Sequence, residues 1–366
     1  MSLIVRPGIL DIAAYVPGEA ELPGAGPIYK MSSNESALGP SPAAVEAYRN
    51  LSGELHRYPD GGATKLRQAI GASIDVDPDQ IICGAGSDDV LVMLMRAYAG
   101  VGDEVLYSKH GFLVYALAAQ SVGAKPVAAP ETNLHTDVDA LLAAVTPKTR
   151  ICFVAEPNNP TGSYIGKAEI ERLRKGLPEN VLLVLDAAYA EYVDKPDYES
   201  GIEMVRRYEN VVTARTFSKI YGLAGLRLGW GYCPKPVIDV LNRIRGPFNT
   251  PAPSQAAGVA ALGDHDHVRK SKAYNNYWLP WFSDRVTEIG LAAHPSVANF
   301  LLVQFPKDPK LSADAADLFL KSRRILARKM GVYGLGDCLR ITIAEEPALR
   351  ACAAALSDFV RKAATQ

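Results

Sequence analysis

The chain has 366 residues, 48% of them apolar, with 39 basic against 40 acidic side chains and a formal net charge of -1. That length exceeds one ordinary core and points to about two domains, while the balanced charge excludes the attraction on which binding to nucleic acid or an anionic membrane depends. No basic block is interleaved with aromatic residues and no apolar stretch reaches the ~18 residues of a membrane helix, so a soluble, cytoplasmic protein is expected.

The opening MSLIVRPGILDIAAYVPGEA has one early Arg and a short apolar patch broken by Pro and Gly, unlike a signal peptide. Residues 1–30, rich in Pro and Gly from 17 to 27, read as an irregular N-terminal arm that packs with a smaller domain. From about residue 40 to 250 the chain alternates helical periods with short apolar runs. Strands are predicted at QIICG (80–84), DEVLYS (103–108), KPVAAP (125–130), RICFVAEP (150–157), NVLLVLDAAY (180–189), NVVTARTFS (210–218) and RLGWGYC (227–233). Helical stretches such as 87–99 and 167–177 separate several of them, the pattern of an α/β domain around a mainly parallel sheet.

Past RGPFNTPAPSQAA (245–257) helices dominate, and two further strands, NFLLVQF (299–305) and CLRITIA (338–344), flank a helix-like segment at 311–324. Prolines 247, 251 and 253 would interrupt a helix, which sets the boundary near Asn249. The expected division is a large domain at 31–249 and a small α+β domain at 250–366. The five cysteines are widely spaced, with no CxxC, and read as reduced core residues. His265 and His267 in GDHDH lack a third ligand of suitable spacing and read as a solvated turn, so no metal is expected.

Ligands of open α/β sheets bind beyond the carboxyl ends of the strands, and four groups of residues fall there. CGAGSDD (83–89) ends a strand and starts a helix; it is an anion nest or an ordinary helix start. EPNNPTG (156–162) follows another strand and by itself is a polar turn. Asp186 closes the apolar run VLLVLD, where an ionised carboxylate needs a cation unless it only caps the next turn, and Tyr189 follows three residues later. Finally TARTFSKIYGLAGLRLGW (213–230) places Lys219 in an apolar setting with Arg215 and Arg227 as its only nearby charges.

Together these groups call for a ligand with a phosphate, a protonated ring nitrogen, a phenolic oxygen and an aldehyde, and pyridoxal phosphate has all four. A Schiff base removes the charge problem of Lys219 and makes its amine a base. Asp186 would keep the pyridine nitrogen protonated, Asn159 and Tyr189 would meet the phenolic oxygen, and Ser87, Asp88, Ser218 and Arg227 would surround the phosphate.

These motifs resemble, in order and spacing, those of the fold-type I aminotransferases, the aspartate aminotransferase superfamily. More narrowly, SSNESALGPSP (32–42), HRYPDGGATKLRQAI (56–70), GAGSDD, HGFLVY (110–115), TFSKIYGLAGLRLGW, RGPFN (245–249) and YGLGDCLRITIA (333–344) are similar to those of histidinol-phosphate aminotransferases. The resemblance implies a mainly parallel seven-stranded sheet with helices on both faces and a smaller α+β domain. It implies that Phe112 stacks on the pyridine ring and that Tyr58 reaches the cofactor phosphate of a partner subunit, so that a homodimer shares its active sites. Arg340 is implied to bind the substrate α-carboxylate, and Arg328, with Tyr15, the other, phosphorylated end. The chain departs from the family with SNES near the substrate entrance, with GLGDC, and with Glu156, which would place a negative charge near the cofactor edge.

The implied reaction is ping-pong transamination through Lys219 between a small amino donor, histidinol phosphate, and a 2-oxo acid acceptor, 2-oxoglutarate. The alternatives are an aromatic amino acid aminotransferase, a threonine-phosphate decarboxylase of the same fold, and a cofactor-binding protein with a dead site. A nucleotide-dependent oxidoreductase does not fit, because no strand runs into GxGxxG.

Overall fold

The computed structural model describes residues 3–364, so the first two residues of the expected arm and the last two of the expected small domain lie outside it. All seven predicted strands of the large domain form: β1 Ile81–Gly84, β2 Glu104–Ser108, β3 Lys125–Ala129, β4 Thr149–Ala155, β5 Leu182–Asp186, β6 Val211–Thr216 and β7 Gly229–Tyr232. Their spatial order is β1-β7-β6-β5-β4-β2-β3, and only β7 runs antiparallel to its neighbours. In the central strands β4, β5 and β6 every side chain but that of Arg150 is buried. Both faces of the sheet are therefore covered, which is why these strands read as continuous apolar runs.

Alternate residues supply the two cores. Leu106, Cys152, Leu183 and Leu185 pack on one face with Leu66, Ile70, Ile170 and Leu173 from helices Thr64–Ile74 and Lys167–Gly176. Val105, Phe153 and Val184 point the other way, against Val90, Leu94, Tyr115 and Leu241 from helices Ser87–Tyr98, Val114–Val122 and Lys235–Ile244.

A second sheet, β8 Ala292–His294, β9 Phe300–Gln304, β10 Arg328–Lys329 and β11 Cys338–Thr342, is antiparallel throughout, in the order β8-β9-β11-β10. Its core holds Trp278, Phe282, Leu320, Leu349 and Leu356 from the helices His265–Glu288, Ala313–Ser322 and Glu346–Ala364. The sequence shows β9 and β11 but not β8 and β10, which are too short to display a period of two.

The boundary at Asn249 needs moving. Helix Ala252–Gly263 buries Ala257, Ala261 and Leu262 in the same core as Leu66 and Leu183, so by its packing the chain leaves the large sheet only after Gly263. Pro251 and Pro253 start that helix, where a missing N–H costs nothing. The GDHDH segment is likewise a helix start and not a free turn: the Asp264 side chain accepts the N–H of His267 at 3.0 Å.

The arm lies against the small sheet. Tyr29–Lys30 pairs in parallel with Ile325–Leu326. The Arg324 guanidinium donates to the carbonyls of Pro23, Gly24, Gly26 and Pro27, and Lys321 pairs with Glu19 at 2.7 Å. All five cysteines are buried and unpaired. Among the described residues no helix is long and apolar enough to cross a membrane, and no group of three or more potential metal ligands occurs.

Candidate active site

A cavity of about 280 Å³ opens at the carboxyl ends of the large sheet, walled on its far side by β10, β11 and the segment Ser32–Glu35 and bordered by Tyr15, Pro17 and Gly18 of the arm. Twelve of the thirteen candidate residues line it: Tyr15, Ser87, Asp88, Phe112, Asn159, Asp186, Tyr189, Ser218, Lys219, Arg227, Arg328 and Arg340. Tyr58 is the exception. It is 82% exposed and stacks on Phe248, ring centroids 4.6 Å apart, outside this cavity.

Lys219 follows β6 at its carboxyl end. Burial, aided by the Arg340 charge, lowers its pKa to about 8, against the opposing pull of Asp88 and Glu35. Its Nζ lies 3.4 Å from the Ser33 carbonyl and 5.5 Å from the centre of the Tyr189 ring. Burial thus holds the Lys219 pKa below that of an ordinary lysine, which raises the share of the neutral amine that a nucleophile or base needs.

Asp186 is the last residue of β5. Burial pushes its pKa up to about 6, opposed chiefly by the hydroxyl of Tyr115, which donates to Oδ2 at 2.8 Å. Its Oδ1 is buried without any hydrogen-bond partner. An orphaned carboxylate oxygen of this kind carries a desolvation cost that a donor in the cavity would remove.

Tyr189 accepts a hydrogen bond from Asn34 Nδ2 at 2.9 Å, and burial raises its pKa to about 12. Asn34 in turn donates its N–H to Thr342 Oγ1 at 2.9 Å, and Asn299 Nδ2 donates to the carbonyls of Asn34 and Glu35, each at 3.1 Å. These bonds fasten the Ser32–Glu35 wall to the small sheet.

The far end of the pocket is an anion cradle. Helix Ser87–Tyr98 starts there with Gly86 at its cap and no side chain on its first N–H groups, so both the free donors and the helix dipole face the cavity. Arg227 holds a left-handed backbone, φ 49°, and places its guanidinium 3.5 Å from Ser218 Oγ and 3.7 Å from Asp88 Oδ2. Gly86 has φ 93°, a conformation that L side chains rarely adopt, and a Cβ there would displace the Arg227 guanidinium, whose Nη2 would stand 2.6 Å away.

On the other wall Arg328 and Arg340 are register partners on β10 and β11. Arg340 donates to the Ser32 carbonyl at 2.9 Å and to Asn159 Oδ1, while its Nε is buried and unpartnered. Burial lowers its pKa, and the Arg328 charge adds to that effect. Arg328 is tied to the arm by a 2.6 Å bond from Nη2 to the Val16 carbonyl. Like charges opposed across neighbouring strands are destabilising unless an anion joins them.

Glu156 does not play the part expected of it. The cavity is lined by its neighbours Ala155 and Pro157, whereas the Glu156 carboxyl is buried and accepts the N–H of Ile165 at 2.9 and 3.1 Å. Desolvation raises its pKa well above the usual carboxylate value, which disfavours a charge there. Conversely, Asn34 and Tyr115 bond directly to site residues and were not singled out in the sequence. Both lie inside motifs read there, SSNES and HGFLVY, but a turn asparagine and a core tyrosine carry no local signal of such a partner.

The residues present fit pyridoxal phosphate: an orphaned acceptor for a ring N–H at Asp186, a half-buried Phe112 ring on the cavity wall, a depressed lysine, and an uncapped helix start beside Arg227 for a phosphate. Comparison with known proteins points the same way. The chain is 58% identical over 355 residues to a histidinol-phosphate aminotransferase of Paramagnetospirillum magneticum, covering 97% of this chain and 98% of that one. It is 56% identical over 358 residues to the protein of that name from Rhodospirillum centenum, covering 98% and 99%. The crystal structure of histidinol-phosphate aminotransferase from Sinorhizobium meliloti in complex with pyridoxal-5'-phosphate matches with a TM-score of 0.86 and 31% identity over 91% of each chain. The family model for aminotransferase class I and II matches residues 27–356, and the chain belongs to that family.

Proposed function

We propose that the protein is a pyridoxal-phosphate-dependent transaminase that converts L-histidinol phosphate and 2-oxoglutarate to imidazole-acetol phosphate and L-glutamate, a step of histidine biosynthesis. The observation that carries the substrate assignment is the facing pair Arg328 and Arg340 on the wall of a cavity that already holds an anion cradle around Arg227. The names of the relatives agree with it.

The division of labour between these arginines differs from the one expected. Histidinol phosphate has no carboxylate; its phosphate ester occupies the arm where an amino acid carries one. Arg340 and Arg328 therefore converge on a single doubly charged phosphate, and with glutamate or 2-oxoglutarate each meets one carboxylate. Both substrates of the ping-pong cycle are then dianions read by the same pair. A phenylalanine carboxylate would satisfy only one of them.

Asp186 would hold the ring nitrogen through Oδ1, Phe112 would cover one ring face, Asn159 and Tyr189 would meet the phenolic oxygen, and Arg227, Ser218 and the first N–H groups of helix Ser87–Tyr98 would hold the phosphate. When bound, pyridoxal phosphate supplies a protonated ring that takes up the electron pair left as the Cα–H bond breaks. Lys219 Nζ takes that proton and returns it on the other side of the exchange, and its low pKa suits it to both tasks. Arg340, braced by Ser32 and Asn159, fixes the substrate so that the Cα–H bond faces Lys219. Exposed Tyr58 and its stacking partner Phe248 lie where a second copy could bury them, so a homodimer with shared sites is part of the proposal.

The test is product analysis of purified protein loaded with pyridoxal phosphate. Glutamate formed from 2-oxoglutarate in proportion to histidinol phosphate consumed supports transamination. Release of carbon dioxide from threonine phosphate, with no glutamate, would make the protein a decarboxylase instead.

A further inference from the structure

Tyr115 is a buried, titratable residue that the reaction above does not use. It lies in the first turn of helix Val114–Val122, is 1% exposed, and stacks on Phe153 with ring centroids 4.6 Å apart and planes 10° apart. The Phe112 ring meets it edge-on, 6.0 Å away at 90°. Its hydroxyl donates to Asp186 Oδ2 at 2.8 Å, and the other oxygen of that carboxylate is left buried and unpaired.

We infer that Tyr115 is the positioning residue of the cofactor site: its hydroxyl fixes the Asp186 carboxylate so that Oδ1 is presented to the ring nitrogen, while its ring packs against Phe112 and backs it on the ring face. The inference rests on the proposed cofactor. The geometry gives Tyr115 two ties. The Tyr115 hydroxyl occupies Oδ2 while Oδ1 has no protein donor, so Oδ1 is the oxygen open to a ligand. The ring itself is locked between Phe153 and Phe112, so the hydroxyl has no alternative position.

The charged and titratable groups facing Asp186 are Asp88 from helix Ser87–Tyr98, Lys219 beyond β6, Tyr189 beyond β5 and Tyr115 itself; the backbone N–H of Ala188 also pulls its pKa down. Of these, Asp88 favours a protonated carboxyl, while the bond from Tyr115, the Ala188 N–H and the Lys219 charge favour the ionised one. Removing the Tyr115 hydroxyl should therefore leave Asp186 protonated up to a higher pH, weakening its hold on a protonated ring nitrogen over that range.

The experiment is a binding cycle on four proteins: wild type, Tyr115→Phe, Asp186→Asn and the double variant. Pyridoxal phosphate affinity is measured by equilibrium dialysis from pH 5 to 9, with thermal unfolding of each cofactor-free protein as the control for folding. Tyr115→Phe loses only a hydroxyl and keeps both ring contacts. It is expected to bind about tenfold more weakly near neutral pH, with the acid-side fall in affinity moved to higher pH. The double variant should bind no more weakly than Asp186→Asn alone, because the hydroxyl acts through that carboxylate. Wild-type affinity and pH dependence in Tyr115→Phe, or fully additive losses in the double variant, would overturn the inference. A wild-type protein that does not bind pyridoxal phosphate would overturn the cofactor assignment and this role with it.

Discussion

The two walls of the cavity are built on opposite plans. On the large-sheet wall the functional groups stand at or just past the carboxyl ends of the parallel strands, Ser87 after β1, Phe112 after β2, Asn159 after β4, Asp186 at the end of β5 and Lys219 after β6, with Arg227 just before antiparallel β7. On the small-sheet wall Arg328 and Arg340 project from the body of two antiparallel strands, braced by chain distant in sequence: Val16, Ser32 and Asn159. The first plan gives fixed positions set by the buried central strands of a sheet, which suits a cofactor that stays. The second hangs substrate contacts on a short strand and an arm, which suits ligands that come and go. Asn34 and Arg340 bridge the two, through Tyr189 and Asn159.

Substitutions on each wall should separate these roles. The largest effect belongs to Lys219→Ala, which removes both the amine that joins the cofactor and the base that moves the proton. Turnover should fall about 10,000-fold or more, measured as glutamate formed per active site, and multiple turnovers near the wild-type rate would refute the assignment. On the opposite wall, Arg340→Ala should lose about 3 kcal/mol in kcat/KM for both substrates, while cofactor affinity, measured separately, changes little. Arg340→Lys should recover only part of that loss, because an ammonium cannot span Ser32, Asn159 and the substrate together. A large fall in cofactor affinity in these variants would erase the distinction between the walls.

The smallest effect concerns Glu156, behind the large-sheet wall. Its folded-state pKa is raised above the ordinary 4.5, so the unfolded chain ionises first. Stability from the neutral carboxyl is complete below that ordinary value and declines as pH rises toward the folded-state pKa. Glu156→Gln keeps an acceptor for Ile165 N–H and cannot ionise. Its melting temperature should therefore gain on wild type as pH is raised from 5 to 8, by about 2 °C. A gain that shrinks over that range would mean the carboxylate is stabilised as an anion by a group not seen in the structure.

The sequence made the large-sheet wall legible because a buried strand followed by a polar or charged residue is itself an anomaly: Asp186 after VLLVL and Lys219 after VVTARTFS stand out by composition. The small-sheet wall has no such contrast. Arg340 alternates in β11 as any strand arginine does, β10 is two residues long, and the roles of Arg340, Arg328 and Tyr15 came from resemblance alone. Contacts such as Asn34 to Tyr189 join residues 155 apart in the chain, and nothing local to either marks them. The domain boundary was misplaced for a related reason: prolines announce where a helix begins but not which core it joins.

The most direct measurement is the half-reaction of pyridoxal-phosphate-loaded protein with histidinol phosphate and, separately, with phenylalanine, following the visible cofactor absorbance in wild type and in Arg328→Ala. Wild type should convert faster with histidinol phosphate, and Arg328→Ala should lower that rate constant at subsaturating substrate by about tenfold while leaving phenylalanine nearly unaffected. Faster conversion with phenylalanine in the wild type, or equal losses for both donors in the variant, would contradict a site built around two facing arginines and a dianion.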